Sequence, residues 1–579
     1  MSSLLSHRVA QNSPSVTMEK GAYRIRRGPL LRNPEDITFP STKRQSQAIS
    51  ASLISQEKRL VLLVMFLVFA TFCCFGTAYY LFTTSSVPMS NTYFFRPSLA
   101  TSTSLSQLDL AQTRQRNFQA RPDEKFLSYL PHSGFHNQRI ALENALVLAR
   151  LLNRTLLVPP IRFGGKAIPY RNFTVLQRIL DVDHASYLCQ LSNNAAHRTN
   201  TPAAQTVLLD FPDLIERCSL TEEREPVTHA YLPWGSVTDF DSITRLQPTI
   251  QTLGSTHHWL STRLDPSVDE VLIIADTSKY NYRFTDEIIL DPLSEPRLFA
   301  NSTYSDDITL SSLTNHPARL IQIGTLFGTR RLKLSDPSHK ALRRQIRRHM
   351  ALKHPLLQKS SADISRKVSG SGPGFLGAHL RCNDGYFRDT AMENSRMLWW
   401  KLVHGILGLS KERTRRLELD CGITGNSSWS RQFERYISQS NFRVHLPLDY
   451  RPFIADVHQP KCKGELHTEP DLERLNVPLF IATDSEDPYT DVHLGLFRQT
   501  FPCLYFLGGF PGEVEPIAGI RDPVSGVGIG EMLVPFLDAM VIARAARLVV
   551  TPHSTFSWYV RDVLWRVNHG LDIEERSGG

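Results

Sequence analysis

The sequence predicts an α/β protein made of two Rossmann-like lobes behind a single transmembrane helix. Three observations predict it. Short apolar runs alternate with helical stripes through both halves of the chain beyond residue 123, the pattern of parallel sheets covered by helices. Residues 126–160 form one strand–helix–strand unit closed by Pro159 and Pro160. Leu60 to Phe82 is 23 residues without a charge, long enough as a helix to span a hydrocarbon core of roughly 30 Å.

Residues 1–59 hold ten Lys/Arg and four acids, so this tail carries +6 of the chain's net +9. Lys43, Arg44, Lys58 and Arg59 precede the apolar segment and only Arg96 closely follows it. That asymmetry keeps the tail cytosolic and the body lumenal. Residues 83–122 read as a stalk, because 12 of the 25 residues from 83 to 107 are Ser or Thr and cannot bury a core. The layout is that of a single-pass type II protein of the Golgi or endoplasmic reticulum membrane. Some surface proteases and receptors share it. The body is near neutral at +3, so its charge calls for no nucleic-acid partner.

The N-terminal lobe, residues 123–358, opens with a strand at Phe126–Leu130. A break at Pro131–Gly134 follows, then a helix from His136 to Leu152 with its stripe at Leu142, Ala145, Leu146, Ala149 and Leu152. Thr155–Val158 is the next strand. Val207–Asp210, Val271–Ala275 and Leu320–Gly324 read as buried strands. Lys340–His354 is a basic helix, expected to present a solvated face. Residues 359–374 are polar and rich in Gly and Ser, and read as the linker between lobes. The C-terminal lobe, 375–579, shows strands at Phe375–Leu380, Pro478–Ala482, Leu504–Leu507 and Leu548–Val550. Helices are expected at Glu531–Ala546 and Thr555–Val567.

Six cysteines lie beyond the apolar segment: Cys189, Cys218, Cys382, Cys421, Cys462 and Cys503. In an oxidising compartment they allow up to three disulfides, and none has zinc-like C-x-x-C spacing. Sequons at Asn153, Asn172, Asn301 and Asn426 are glycosylation candidates.

Polar residues gather where strands end, which is where ligands bind in such lobes. His379, Arg381 and Asp384 follow one strand. An always-charged guanidinium there suits a phosphate or carboxylate, or a structural ion pair with Asp384. Asp484 follows the next strand, as an acceptor for a base or ribose hydroxyl or as a cap. Ser554, Thr555, Phe556 and Ser557 open a helix, either as an anion site or as ordinary capping. Gly134, Phe135, His136 and Asn137 form a turn between strand and helix in the first lobe, with Gly134 permitting close backbone approach.

In motif order the chain resembles the GDP-fucose protein O-fucosyltransferase family, including its fungal-type members. The resemblance rests on SGFHNQRIALENALVLARLLNRTLLVPP, FLGAHLRCND, PLFIATDSEDP and LVVTPHSTFSWYVRD. It implies a GT-B fold of two facing lobes, with GDP-fucose held mainly by the second, and inverting transfer without a metal or other cofactor. It implies that Arg381 contacts the leaving diphosphate. It places His379 and Asp384 near the guanosine, or has them shape the site, and it places Asp484 on the base. Ser554, Thr555, Phe556 and Ser557 would cradle phosphates and guanine, and Asn137 would lie near sugar and acceptor. Some members carry a carboxylate in the first-lobe loop; here there is none, which leaves Asn137, His132 and His136 as candidates to handle the acceptor's proton. The acceptor would be a secretory-pathway protein or a glycan.

Two rivals have a sequence basis. Asp181-Val-Asp183 and Asp239-Phe-Asp241 match the D-x-D of metal-dependent glycosyltransferases, although neither follows an obvious buried strand. The missing loop acid would suit an inactive sugar-nucleotide- or glycan-binding protein of the same fold. A protease has no support, since neither G-x-S-x-G nor H-E-x-x-H occurs.

Overall fold

The computed structural model describes residue 121 and residues 123–575, apart from 198–226, 253–259, 261–263, 265–269, 288–303, 371, 373, 423–461 and 523–525. The basic tail, the apolar segment 60–82 and nearly all of the stalk lie outside the described residues. So do the expected strand 207–210, Cys218, Asn301 and Asn426. Among the described residues no helix is long and apolar enough to cross a membrane.

Two parallel sheets organise the body. The first contains β1 (Phe126–Tyr129), β2 (Thr155–Val158), β3 (Thr249–Gln251), β4 (Val271–Ile274) and β5 (Leu320–Ile323), in the order β3-β2-β1-β5-β4. The second contains β6 (Leu376–Leu380), β7 (Leu479–Thr483), β8 (Leu504–Tyr505) and β9 (Arg547–Val550), in the order β8-β7-β6-β9. Every pairing in both sheets is parallel. The central strands β1 and β6 are buried along their whole length, which is why they read as continuous apolar runs. β4 is the exception to the expected burial: among the described residues it lies at an edge, pairs only with β5, and leaves Ile273 52% exposed.

Helix α1 (Phe135–Leu151) is buried on nearly every side, including polar Asn137, Gln138, Arg139, Glu143 and Asn144. A helix buried all round must satisfy its polar groups internally. Glu143 does so between two guanidinium groups, Arg139 at 3.1 Å and Arg347 at 3.3 Å. Arg347 lies on α2 (Pro337–His349), the basic helix. Its solvated face is only part of the picture, because Arg343 and Arg347 are buried. Arg343 pairs with Glu575, and Arg347 donates to the carbonyl of Glu574 at 2.6 Å. The chain's C-terminal end therefore returns to the first lobe.

Residues 359–374 are mostly not an open linker. Helix α3 runs from Pro355 to Ser369 and buries Leu357, Ile364 and Val368 together with Ser360, Ser361 and Ser365. Serines pack closely where long side chains would not fit, so a polar composition concealed an amphipathic helix. Proline at its first turn and Gly370 at φ +52° past its end mark its bounds. A single hydrophobic cluster extends from β1 and α1 through α3 to α4 (Gly530–Ile542) and Tyr559.

Cys462 and Cys503 are disulfide-bonded, and Cys189 is also disulfide-bonded. Cys382 and Cys421 are free, so the ceiling of three disulfides is not reached.

Ile364→Ala should lower stability by about 2–5 kcal/mol in urea unfolding, the cost of truncating a buried aliphatic side chain. An exposed linker at this position would give a change near zero.

Candidate active site

Each sheet has one central strand whose neighbours come from opposite directions of the winding. β1 lies between β2 and β5, and β6 lies between β7 and β9. At such switch points the connecting segments diverge and open a crevice beyond the carboxyl ends of the strands. The segment 131–137 leaves β1 at the first switch point. Residues 381–384 leave β6 and 551–554 leave β9 at the second.

At the second, the Arg381 guanidinium grips Asp384 through Nε and Nη2, with Nε–Oδ1 at 2.9 Å. It lies 4.7 Å from the centre of the Phe387 ring. The structural ion pair foreseen for Arg381 and Asp384 is therefore present. It commits two of the three guanidinium nitrogens and leaves the Nη1 edge for a ligand. His379, on β6, shares a 2.8 Å hydrogen bond with Ser557 Oγ. Burial, then the nearby Arg381 charge, lower its pKa to about 3, so the imidazole is neutral.

Ser554 caps helix α5 (Thr555–Tyr559), its Oγ accepting from the Ser557 N–H at 3.2 Å. Ser554 and Ser557 are fully buried. Their hydroxyls shape the turn, while the first-turn N–H groups of Thr555 and Phe556 have no intrahelical acceptor. His553, just before the cap, sits at φ +61°, a strained conformation of the kind found at functional turns. Asp484 accepts from the backbone N–H groups of Cys382 at 2.7 Å and Asn383 at 3.3 Å. Burial pushes its carboxyl above the usual range, against the pull of these donors and of Arg381.

The first-lobe turn meets this site directly. The His136 ring lies 5.4 Å from Phe556 and 5.5 Å from Tyr559. Phe135 packs 4.7 Å from Phe536 on α4. Phe556 in turn lies 5.6 Å from His379. Thus Phe135, His136, His379, Phe556 and Ser557 form one contiguous group. Asn137 is buried at the start of α1. Gly134 has φ −71°, and a Cβ added to it would meet nothing within 4 Å. The fold itself therefore does not require glycine there.

His132 is fully engaged. Its ring nitrogens bond Ser133 Oγ at 2.8 Å and Thr325 Oγ1 at 2.7 Å. Burial, with Lys279 and Arg331 adding to it, lowers its pKa to about 3. It holds Ser133 at φ +64° and is a poor base at neutral pH. A pocket beside this turn is lined by Pro131, His132, Gln138, Pro159, Arg162 and Tyr231.

In each D-x-D match one aspartate is engaged by neighbouring side chains. Asp183 receives Arg162 at 2.8 Å, His229 at 3.1 Å and the Tyr231 hydroxyl at 2.6 Å. Asp239 sits at a helix start and pairs with His349 at 3.3 Å and Lys353 at 3.6 Å. No group of three or more metal-ligating side chains occurs among the described residues. Asn153 and Asn172 are exposed; Asn172 Oδ1 accepts from the Val175 N–H at 3.2 Å.

Three residues of the site escaped the sequence reading. Thr551 and Tyr559 carried no distinguishing pattern. Asp538 did: it is the lone acid within VPFLDAMVIA, and it lies buried in α4 with Oδ2 accepting from the Thr483 N–H at 3.2 Å. Burial raises its pKa well above the carboxylate range.

No protein-family model matches the chain. A stretch of 38 residues is 60% identical to O-fucosyltransferase 30 of Arabidopsis thaliana, covering 7% of this chain and 8% of that protein. The chain thus matches under a tenth of that relative's length. A crystal structure of POFUT1 in complex with GDP is 12% identical, covers 77% of this chain and 96% of its own, and gives a TM-score of 0.31. A complex of POFUT1 with GDP-fucose is 11% identical over 77% and 96%, with a TM-score of 0.29. Similarity of shape at this level bears on neither fold nor function.

Asp538 yields a pH prediction. Above about pH 4 the unfolded chain releases this proton while the folded chain keeps it, so stability falls as pH rises toward the folded pKa. Asp538→Asn removes the titration. The difference in melting temperature between variant and parent should move in the variant's favour from pH 4 to pH 8. A constant difference would show that the acid is ionised.

Proposed function

We propose that the chain is a metal-independent, inverting glycosyltransferase that moves fucose from GDP-fucose to a hydroxyl of a secretory-pathway protein or glycan. The observation that carries this reading is Arg381, held at the carboxyl end of β6 at a switch point, with one guanidinium edge uncommitted. The four motifs of the O-fucosyltransferase resemblance support it, as does the short match to O-fucosyltransferase 30. The arrangement of two parallel sheets with facing turns is of the GT-B kind.

Breaking the sugar–phosphate bond places extra negative charge on the departing diphosphate. Arg381 Nη1 and the first N–H groups of α5 would meet it, in a setting fixed before the reaction begins. Asp384 orients the guanidinium. Neutral His379 holds Ser557, and so the start of α5, without adding charge. The acceptor would approach from the first-lobe turn, with His136 or Asn137 nearest its hydroxyl. In the cell the body would face the lumen of the Golgi or endoplasmic reticulum, anchored by residues 60–82.

Two observations favour the inactive binding protein: the Arg381 charge is already matched by Asp384, and the turn lacks an acid. Turnover separates the two readings. The body should release GDP from GDP-fucose in the presence of EDTA. Arg381→Ala should lower the rate about a hundredfold or more, the scale of losing one transition-state charge partner. GDP binding without turnover would establish the binding protein; strict dependence on a divalent cation would overturn the mechanism.

A further inference from the structure

We propose that Asn172 carries an N-linked glycan, and that its first sugars cover an exposed apolar strip on the helix that Asn172 caps. The inference rests on the lumenal placement of the body in the reading above.

Asn172-Phe173-Thr174 is a sequon, and three features of the fold suit it to modification. The tripeptide stands at the start of the helix Phe173–His197. Phe173 is buried there in a small cluster with Leu130, Ile168, Leu176 and Leu180. Asn172 and Thr174, on either side of it, are exposed.

The two ends of the Asn172 amide also have separate duties. Oδ1 accepts from the Val175 N–H at 3.2 Å, and the main-chain carbonyl accepts from the Leu176 N–H at 2.9 Å. Nδ2 donates to no group among the described residues. Glycosylation joins Nδ2 to the anomeric carbon of an oligosaccharide carried on a lipid diphosphate. The bond from that carbon to the diphosphate oxygen breaks, the lipid diphosphate leaves with the electron pair, and Nδ2 gives up one proton. Oδ1 is untouched, so the cap that starts the helix survives the modification.

Beyond Asn172 the outer face of the helix is apolar where it meets water. Val175 is 42% exposed and Val182 62% exposed. They are seven residues apart and so share one face. A single exposed valine is ordinary. Two on one face, headed by a sequon, make a strip about 15 Å long from Asn172 to Val182. A sugar ring has an apolar C–H face and a polar rim, which matches these valines with exposed Thr174 and Arg178 beside them. Asn153, the other described sequon, has no large exposed apolar side chain within ten residues of it.

The test uses the full chain made in a eukaryotic secretory host. Enzymatic deglycosylation in heavy-oxygen water turns each glycosylated Asn into a labelled Asp, and the peptide holding residue 172 should carry that label. Asn172→Gln and Thr174→Ala should each lose one glycan-sized step in electrophoretic mobility, whereas Thr174→Ser should keep it. Covering is read with Asn172→Asp, which retains the capping oxygen and cannot be glycosylated. It should fold as the parent does by circular dichroism, yet scatter more light on standing. Adding Val175→Thr and Val182→Thr should bring the scattering back to the parent's. An unlabelled Asn172 in a chain labelled at another sequon would overturn the proposal and leave the lumenal reading standing. A chain labelled nowhere would overturn both. A labelled Asn172 whose Asp variant scatters no more than the parent would overturn the covering role.

Discussion

A parallel strand ends with backbone groups that its neighbours no longer reach, and the site of this protein is built from that shortage. β1 and β6 are the central strands of their sheets, and the chain leaves each at the point where the winding reverses. The N–H groups released there must find side chains, helix starts or ligands. At β6 they find Thr551 and Asp484. Beyond β9, Ser554 caps the helix carrying Phe556 and Ser557 by accepting from the Ser557 N–H. Polar residues gather at these places because strand ends leave backbone donors there.

The two turns are joined by rings rather than by charges. Phe135 on Phe536, and His136 between Phe556 and Tyr559, bring the first-lobe turn against the second-lobe helix. Below them, Glu143 holds Arg139 and Arg347, and Arg139 lies 4.0 Å from the centre of the Tyr559 ring. Removing one partner of such a buried group leaves an uncompensated charge, so this layer is intolerant of single changes.

Much of this was legible in the sequence because the signals were local. Strands β1, β2, β5, β6, β7 and β9 and helix α1 lie within a residue or two of where apolar periodicity put them. The four polar segments were found because each follows an apolar run. What was not legible depends on partners distant in sequence. Nothing in KSSADISRKVS shows that its serines face another helix. Nothing in RRQIRRH tells which arginines meet Glu143 and Glu575. Asp484 is a related case: sequence shows an acid at a strand end, but not that the backbone N–H groups of Cys382 and Asn383 donate to it. Asp538 could have been found, since a single acid in an apolar helix requires a partner or a proton.

The return of the C-terminal end to the first lobe sets an order of events during synthesis. Arg343 and Arg347 leave the ribosome more than two hundred residues before Glu574 and Glu575, which satisfy them. The first lobe, although it is made first, cannot complete the partners of Arg343 and Arg347 until residues 574 and 575 have been made. Contacts this distant along the chain are slow to form, and the interval leaves basic and apolar surface open. During that interval the first lobe exposes buried-to-be basic side chains whose distant partners do not yet exist.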